Sequence, residues 1–301
     1  MRAELPLPSA TLGKRPSRWQ KRRLYPVALL GLVLVLSGCS LRKLGYNLAA
    51  RFITSRIVDT FDLDKVQKKQ TQAAVARLHA WHRASELPRY VELLDGVIAR
   101  SADGLTRDEV LWIIKEAETT VERTAQKLVP EASALLVTLT PEQIAYSEKE
   151  MKKGSKERFE RLELPEQDYV NFRLKRAKKN LTTWCGSYND AQLGEFERFV
   201  RKNRLEELRR QTHTELLRAA LLTALREHAP RAAIEGLLFN WMTKEDAAPT
   251  EESKLAEERN RDDFIALVLG VDRAMTADQR QHMLRELRTL RTEMYELATG
   301  T

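Results

Sequence analysis

One kind of helix start recurs along this chain. In TLTPEQI, Thr140 stands three residues before Gln143, with Leu139 ahead of it and Ile144 behind. A threonine in that place accepts a hydrogen bond from an amide of the first turn, the glutamine reaches back to the threonine's own amide, and the flanking apolar pair forms a hydrophobic staple. Pro141 takes the first helical position, where a missing N–H costs nothing. The same grammar occurs in LDKVQ (Asp64, Gln67), YNDAQ (Asn189, Gln192) and MTADQ (Thr276, Gln279), while LTRDE (Thr106, Glu109) ends in glutamate. Each cap satisfies an orphan amide and contributes about 1 kcal/mol. Capping alone accepts either residue in the last place, so four glutamines are more than it requires.

Starts this frequent imply helices throughout, and composition agrees. The chain holds 12 glycines and 10 prolines in 301 residues, well under the roughly 12% of average proteins, and no segment alternates apolar and polar residues for long. We therefore expect an all-α fold, an elongated multi-helix bundle. Met283, Leu287, Leu290, Met294 and Leu297 recur at helical spacing and predict a stripe facing a partner helix. Val110, Ile113, Ile114, Ala117, Val121 and Leu128 predict a second stripe, opposite Lys115, Glu116, Glu118, Glu122 and Arg123. Residues 243–254, TKEDAAPTEESK, lack a stripe and contain Pro249, which predicts a flexible polar linker between a helical domain at 39–242 and a C-terminal helical segment at 255–301.

Residues 1–38 read as a targeting device. The apolar run from Val27 to Leu36 is about half of the roughly 20 residues a spanning helix needs. It follows the basic KRPSRWQKRR and precedes the small residues Ser37 and Gly38, the order of a secretory leader. Leu36, Ser37, Gly38 and Cys39 resemble a bacterial lipobox, which implies that Cys39 is diacylglyceryl-modified, becomes the first residue and is then acylated. Each buried methylene contributes about 0.8 kcal/mol and two chains suffice for stable anchoring, so three hold the protein on a membrane. Ser40 stands where, in the enteric sorting pattern, an aspartate would retain the protein in the inner membrane. That resemblance directs it to the outer membrane, on the periplasmic face.

The leader also explains the charge. Its seven basic residues against Glu4 account for +6 of the formal +8, leaving a mature chain near +2. The basic balance that would otherwise point to nucleic acid is thus mostly removed, and no nucleic-acid partner is expected. Cys185 is the one cysteine besides Cys39, so no intramolecular disulfide forms, and it reads as a small buried hydrophobe.

No constellation for catalysis stands out: there is no HExxH, no GxSxG, no phosphate-binding glycine loop and no CxxC. We expect no enzyme, no cofactor and no small-molecule substrate. His79, His82 and Glu86 fall on one helical face as three conceivable metal ligands, yet beside Leu78, Trp81 and Leu87 they read as packed or capping groups, and no metal site is assigned. From Arg173 to Arg210 eleven basic residues face five acids. The segment RLKRAKKN, with Arg173, Lys175, Arg176, Lys178 and Lys179, is uncompensated in sequence and is the candidate contact for an anionic surface such as lipopolysaccharide, peptidoglycan or an acidic envelope protein. Residues 244–263 carry the opposite balance, eight acids to four bases.

The Leu-Thr-x-x-Gln pattern resembles the repeat motif of the Spy/CpxP group of periplasmic proteins, which LTPEQ matches in full. A wider order of features, Cys39-Ser40, YNLAARFITSRIVDTFDLDKVQ, WHRASELPRYVELL, LTPEQ and WCGSYNDAQ, resembles a family of proteobacterial outer-membrane lipoproteins catalogued only as a domain of unknown function. That resemblance runs from Cys39 to about residue 225, with Tyr188 and Asn189 departing from its leucine and threonine. It implies a helical fold and an outer-membrane location, and no activity. The expected role is a non-catalytic binding or envelope-maintenance module, chaperone-like if an apolar groove lies between the helices. The alternative is a structural scaffold for an envelope complex.

Overall fold

The computed structural model describes residues 39–243 and 250–300. The expected leader, with Val27–Leu36 and the first three residues of the lipobox-like stretch, lies outside them. The described chain forms α1 (Cys39–Phe61), α2 (Lys65–Trp81), a π-helical turn (His82–Glu86), α3 (Leu87–Arg100), α4 (Arg107–Leu136), α5 (Pro141–Leu162), α6 (Glu166–Cys185), α7 (Asp190–Lys202), α8 (Arg204–Arg226), α9 (Arg231–Thr243), α10 (Glu251–Arg273) and α11 (Ala277–Thr299). No strand occurs among the described residues, so the fold is all-α.

Five of these helices begin in a complete capping box: Asp64 with Gln67, Thr106 with Glu109, Thr140 with Gln143, Asn189 with Gln192, and Thr276 with Gln279. Leu63, Leu139 and Ile144, the apolar residues flanking two of the boxes, are buried together in one core. A helix start not expected from sequence is Thr250, whose hydroxyl accepts from the amide of Ser253. Of the expected linker at 243–254, Thr243 lies in α9 and residues 251–254 lie in α10, while 244–249 lie outside the described residues.

The π turn has a local cause. Pro88 has no N–H to return to the preceding turn, and its ring crowds the carbonyl four residues back. The amide of Leu87 bonds instead to the carbonyl of His82, five residues away, which widens the helix there.

Among the described residues, three hydrophobic clusters rather than one hold the helices. The largest joins α1, α4, α5, α8 and α9 around Ala125, Val129, Leu136, Leu221, Leu225, Ile234 and Leu238. A second packs Tyr46 of α1, Leu87 and Val91 of α3 and Trp184 of α6 against Leu290, Met294 and Leu297 of α11, the last three from the expected C-terminal stripe. A third surrounds Tyr169, Val170 and Val200. The α4 stripe departs from expectation: Ala117 and Val121 are exposed, and its C-terminal half buries Ala125, Val129, Ser133 and Leu136 instead. Over 30 residues the helix changes partners, from α10 and α3 at its start to α9 further on, so its buried face rotates.

Candidate functional site

The four glutamine-ended starts meet in two pairs. Gln67 donates to the side-chain oxygen of Gln143 at 3.1 Å, and Gln143 donates back at 2.7 Å. Each oxygen also accepts from its own cap amide, Asp64 at 3.1 Å and Thr140 at 3.0 Å. Each nitrogen donates its second hydrogen to a carbonyl two residues ahead of the other cap, Gln67 to Thr138 at 3.0 Å and Gln143 to Asp62 at 2.9 Å. A carboxamide offers two donors and two acceptor sites, and here all of them are used. The second clasp repeats the arrangement between α7 and α11. Gln192 and Gln279 exchange bonds of 3.2 Å in both directions, each also accepting from its own cap. Gln279 then reaches the hydroxyl of Ser187, and Asn189 reaches the carbonyl of Ala274.

This answers the question the sequence raised. A carboxylate caps a helix start as well as a carboxamide does, but it has no N–H to give to a partner. The glutamate-ended start shows the contrast. Among the described residues Glu109 has no such partner and stays within its own box, where the Thr106 amide and hydroxyl hold its carboxyl below the usual range. Spacing along one chain identified each start, whereas the pairing joins residues 76 and 87 apart and only the fold reveals it.

His79 and His82 are committed to α1. His79 Nε2 lies 3.1 Å from the carbonyl oxygen of Tyr46, and His82 Nδ1 lies 2.9 Å from the Tyr46 hydroxyl. Burial pushes the Tyr46 phenol up to about 12 and lowers His82 to about 4, so His82 is neutral there. Glu86, fully buried at the end of the π turn, pairs with Arg123 at 3.1 Å and Arg89 at 2.7 Å rather than with the histidines. These contacts fasten α1 to α2 and α3 to α4. Cys185 is buried at the end of α6, and that burial raises its thiol.

The basic segment divides in two. Arg173 bonds to the Tyr169 hydroxyl and pairs with Glu207. Farther along, Arg201 pairs with Glu197, Lys202 with Asp263, Arg209 with Glu252 and Arg210 with Glu207. The acids of α10 therefore neutralise part of the basic excess in space, as their opposite balance in sequence suggested. Lys175, Arg176, Lys178 and Lys179 are different. All four are exposed on α6, and among the described residues none has a carboxylate within ion-pair distance. Lys178 lies 5.7 Å from the centre of the Tyr188 ring. Phe172, Lys175, Arg176 and Lys179 share one helical face, since positions three, four and seven apart align.

A depression of about 600 Å³ lies between the α3–α4 loop and the α10–α11 turn, lined by Asp103, Gly104, Thr106, Glu109, Asp272 and Arg280 among others. Its central charges already hold the fold together. The Asp272 carboxylate accepts from the Leu105 amide at 3.0 Å and from Arg280 at 2.9 Å, and Arg280 also donates to the Ser101 carbonyl. The depression is thus a polar joint between helix ends.

No curated protein and no solved structure matches the chain. A family model matches residues 59–252, more than half of the chain. That span contains both members of the first clasp and Gln192 of the second, and stops short of Gln279. The chain accordingly belongs to DUF6279, a family of unknown function.

Proposed function

We propose that the protein is a non-catalytic binding module, held by lipid on Cys39 to the periplasmic face of a Gram-negative outer membrane, whose basic α6 face contacts an anionic envelope component. The observation that carries this reading is the division of the basic segment. Its other basic residues are tied to acids or carbonyls of the same chain, while Lys175, Arg176, Lys178 and Lys179 stand exposed with no carboxylate within reach among the described residues. An unneutralised cluster on a solvent-facing helix attracts phosphate or carboxylate groups through solvent. Phosphates of lipopolysaccharide and carboxylates of peptidoglycan or of an acidic protein fit that chemistry.

The clasped helix starts support the same reading, since they hold the frame that carries α6 without using its basic face. They equally suit the second reading, a scaffold that holds one envelope protein. The polar depression at Asp272 does not suit apolar clients, so the contact is assigned to α6 rather than to a chaperone-like groove. The leader pattern, the lipobox and Ser40 support the location. No helix among the described residues is long and apolar enough to cross a membrane.

Photo-crosslinking in intact cells tests the contact. A photoreactive residue in place of Arg176 or Lys179 should trap an anionic envelope component, and one at exposed Val121 should not. Equal trapping from all three positions contradicts the assignment. Separately, Cys39→Ser should leave an uncleaved precursor at the inner membrane. A normally processed variant in the outer-membrane fraction contradicts the lipid anchor.

A further inference from the structure

The first helix carries an apolar face that stays exposed among the described residues. Leu44 is 53% exposed, Leu48 46% and Phe52 42%, spaced by four along α1. Exposed Arg51 and Asn47 flank them. The opposite side of α1 is bound firmly to the body. Arg42 pairs with Glu293 at 2.9 Å in a buried contact, Lys43 pairs with Glu296, and Tyr46 receives both histidines of the α2 end. The apolar face is therefore not a packing face that has come loose, because the packing face is occupied.

We infer that this face of α1 lies in the bilayer interface, with Leu44, Leu48 and Phe52 among the acyl-chain ends and Arg51 at the headgroups. The inference builds on the lipid anchor proposed above. Its carrying observation is where the anchor residue lies. Cys39 lies within α1, so the residue proposed to hold the lipid is part of the same helix as the apolar stripe. At 1.5 Å per residue, Leu44 sits about 8 Å and Phe52 about 20 Å along the helix from the residue that holds the lipid. A helix that contains the anchor residue and is fastened rigidly to the body keeps the rest of the protein close to the same surface. An apolar stripe beside a cationic flank is the chemistry that such a surface accepts. Buried apolar area makes this contact largely insensitive to salt, unlike contacts through α6.

The test uses the chain from residue 39 onward, which contains every described helix, carrying Cys39→Ser so that no lipid contributes. With Cys185 buried, a single cysteine introduced by Leu48→Cys takes an environment-sensitive fluorophore, and Leu205→Cys, an exposed leucine of α8 (72%), serves as the comparison. On phosphatidylethanolamine vesicles containing phosphatidylglycerol, the label at 48 should shift to the blue and that at 205 should not. Replacing Leu44, Leu48 and Phe52 together by serine should lower vesicle partitioning by about tenfold or more, as expected for losing three apolar contacts, while circular dichroism stays unchanged. An equal shift at both positions, or none at 48, overturns the inference. So does a concentration-dependent dimer that the triple serine variant abolishes, because the occupant of the stripe would then be a second copy. The Cys39→Ser fractionation experiment fails or succeeds independently of these readouts, which separates the two readings.

Discussion

The side-chain amides of Gln67 and Gln143 bond to each other in both directions, at 3.1 and 2.7 Å, across 76 residues of chain. Each also closes the capping box of its own helix. One side chain thus does two jobs: it starts a helix and fixes where that helix stands relative to another.

Gln143→Glu separates those jobs. The carboxylate still accepts from the Thr140 amide, but it can no longer donate to Gln67 or to the Asp62 carbonyl, and it sets a charge in a buried site. The expected loss is about 3 kcal/mol at neutral pH, from stranding buried acceptors. A glutamic acid that regains its proton can donate once more. The loss relative to wild type should therefore shrink as the pH falls toward about 4.3, the unfolded carboxyl value. Chemical denaturation of both proteins at several pH values checks this, and a constant difference would contradict it.

Thr140→Ala removes the cap while leaving the clasp in place. A destabilisation of about 0.5–2 kcal/mol is expected. A double-mutant cycle between Gln67→Ala and Gln143→Ala should show coupling, whereas Gln143→Ala with Gln279→Ala should be additive, because the two clasps share no partner. Thermal melts measure both.

His82 gives the fold a dependence on acid. Its imidazole titrates at about 4 when folded and near 6.5 when unfolded. Between those values the unfolded chain binds more protons, so stability falls as the pH drops through that window. The contribution of this group, roughly 3 kcal/mol, is fully lost only below the folded value. His82→Gln, which keeps a polar partner near Tyr46, should melt lower than wild type at pH 7 but lose less between pH 6.5 and 4. Parallel profiles would show that another group sets the slope.

Arg42→Ala leaves the Glu293 carboxyl buried without the guanidinium that faces it at 2.9 Å. Breaking such a pair from one side costs about 3–5 kcal/mol, and replacing both partners by apolar residues costs far less. Denaturant midpoints of Arg42→Ala and of Arg42→Met combined with Glu293→Leu should differ in that order. Faster amide exchange along α1 in the single variant would place the damage at its seam with α11.

The helical class was legible because its signals are local. A cap, a missing glycine or a stripe at 3.6-residue spacing acts within one or two turns, and the five boxes at Asp64, Thr106, Thr140, Asn189 and Thr276 lie where the spacing set them. What neighbours a helix is not local. The α4 stripe departs from its spacing at Ala117 and Val121 because a long helix changes partners along its length, and the start at Thr250 is hidden inside a polar run that has no stripe. The basic segment was legible as an excess of charge, but the ties of Arg173, Lys202 and Arg209 come from other helices, so only the fold separates the neutralised residues from the four that remain. The glutamines were the intermediate case. Their repetition signalled a purpose beyond capping, and the fold supplied the partner.

The measurement closest to the proposed function is cosedimentation of the chain from residue 39 onward, carrying Cys39→Ser, with lipopolysaccharide, anionic vesicles and peptidoglycan, at low and high salt. It compares wild type with a variant carrying Arg176→Glu, Lys178→Glu and Lys179→Glu. Exposed charges contribute little to stability, so the variant should melt close to wild type. If α6 is the contact surface, wild-type binding to at least one of the three should weaken as salt rises, because screening sets in over about 8 Å at physiological ionic strength. The reversed variant should bind that component at least about tenfold more weakly at low salt, as expected when attraction becomes repulsion. Equal binding by both proteins, unaffected by salt, would contradict the account.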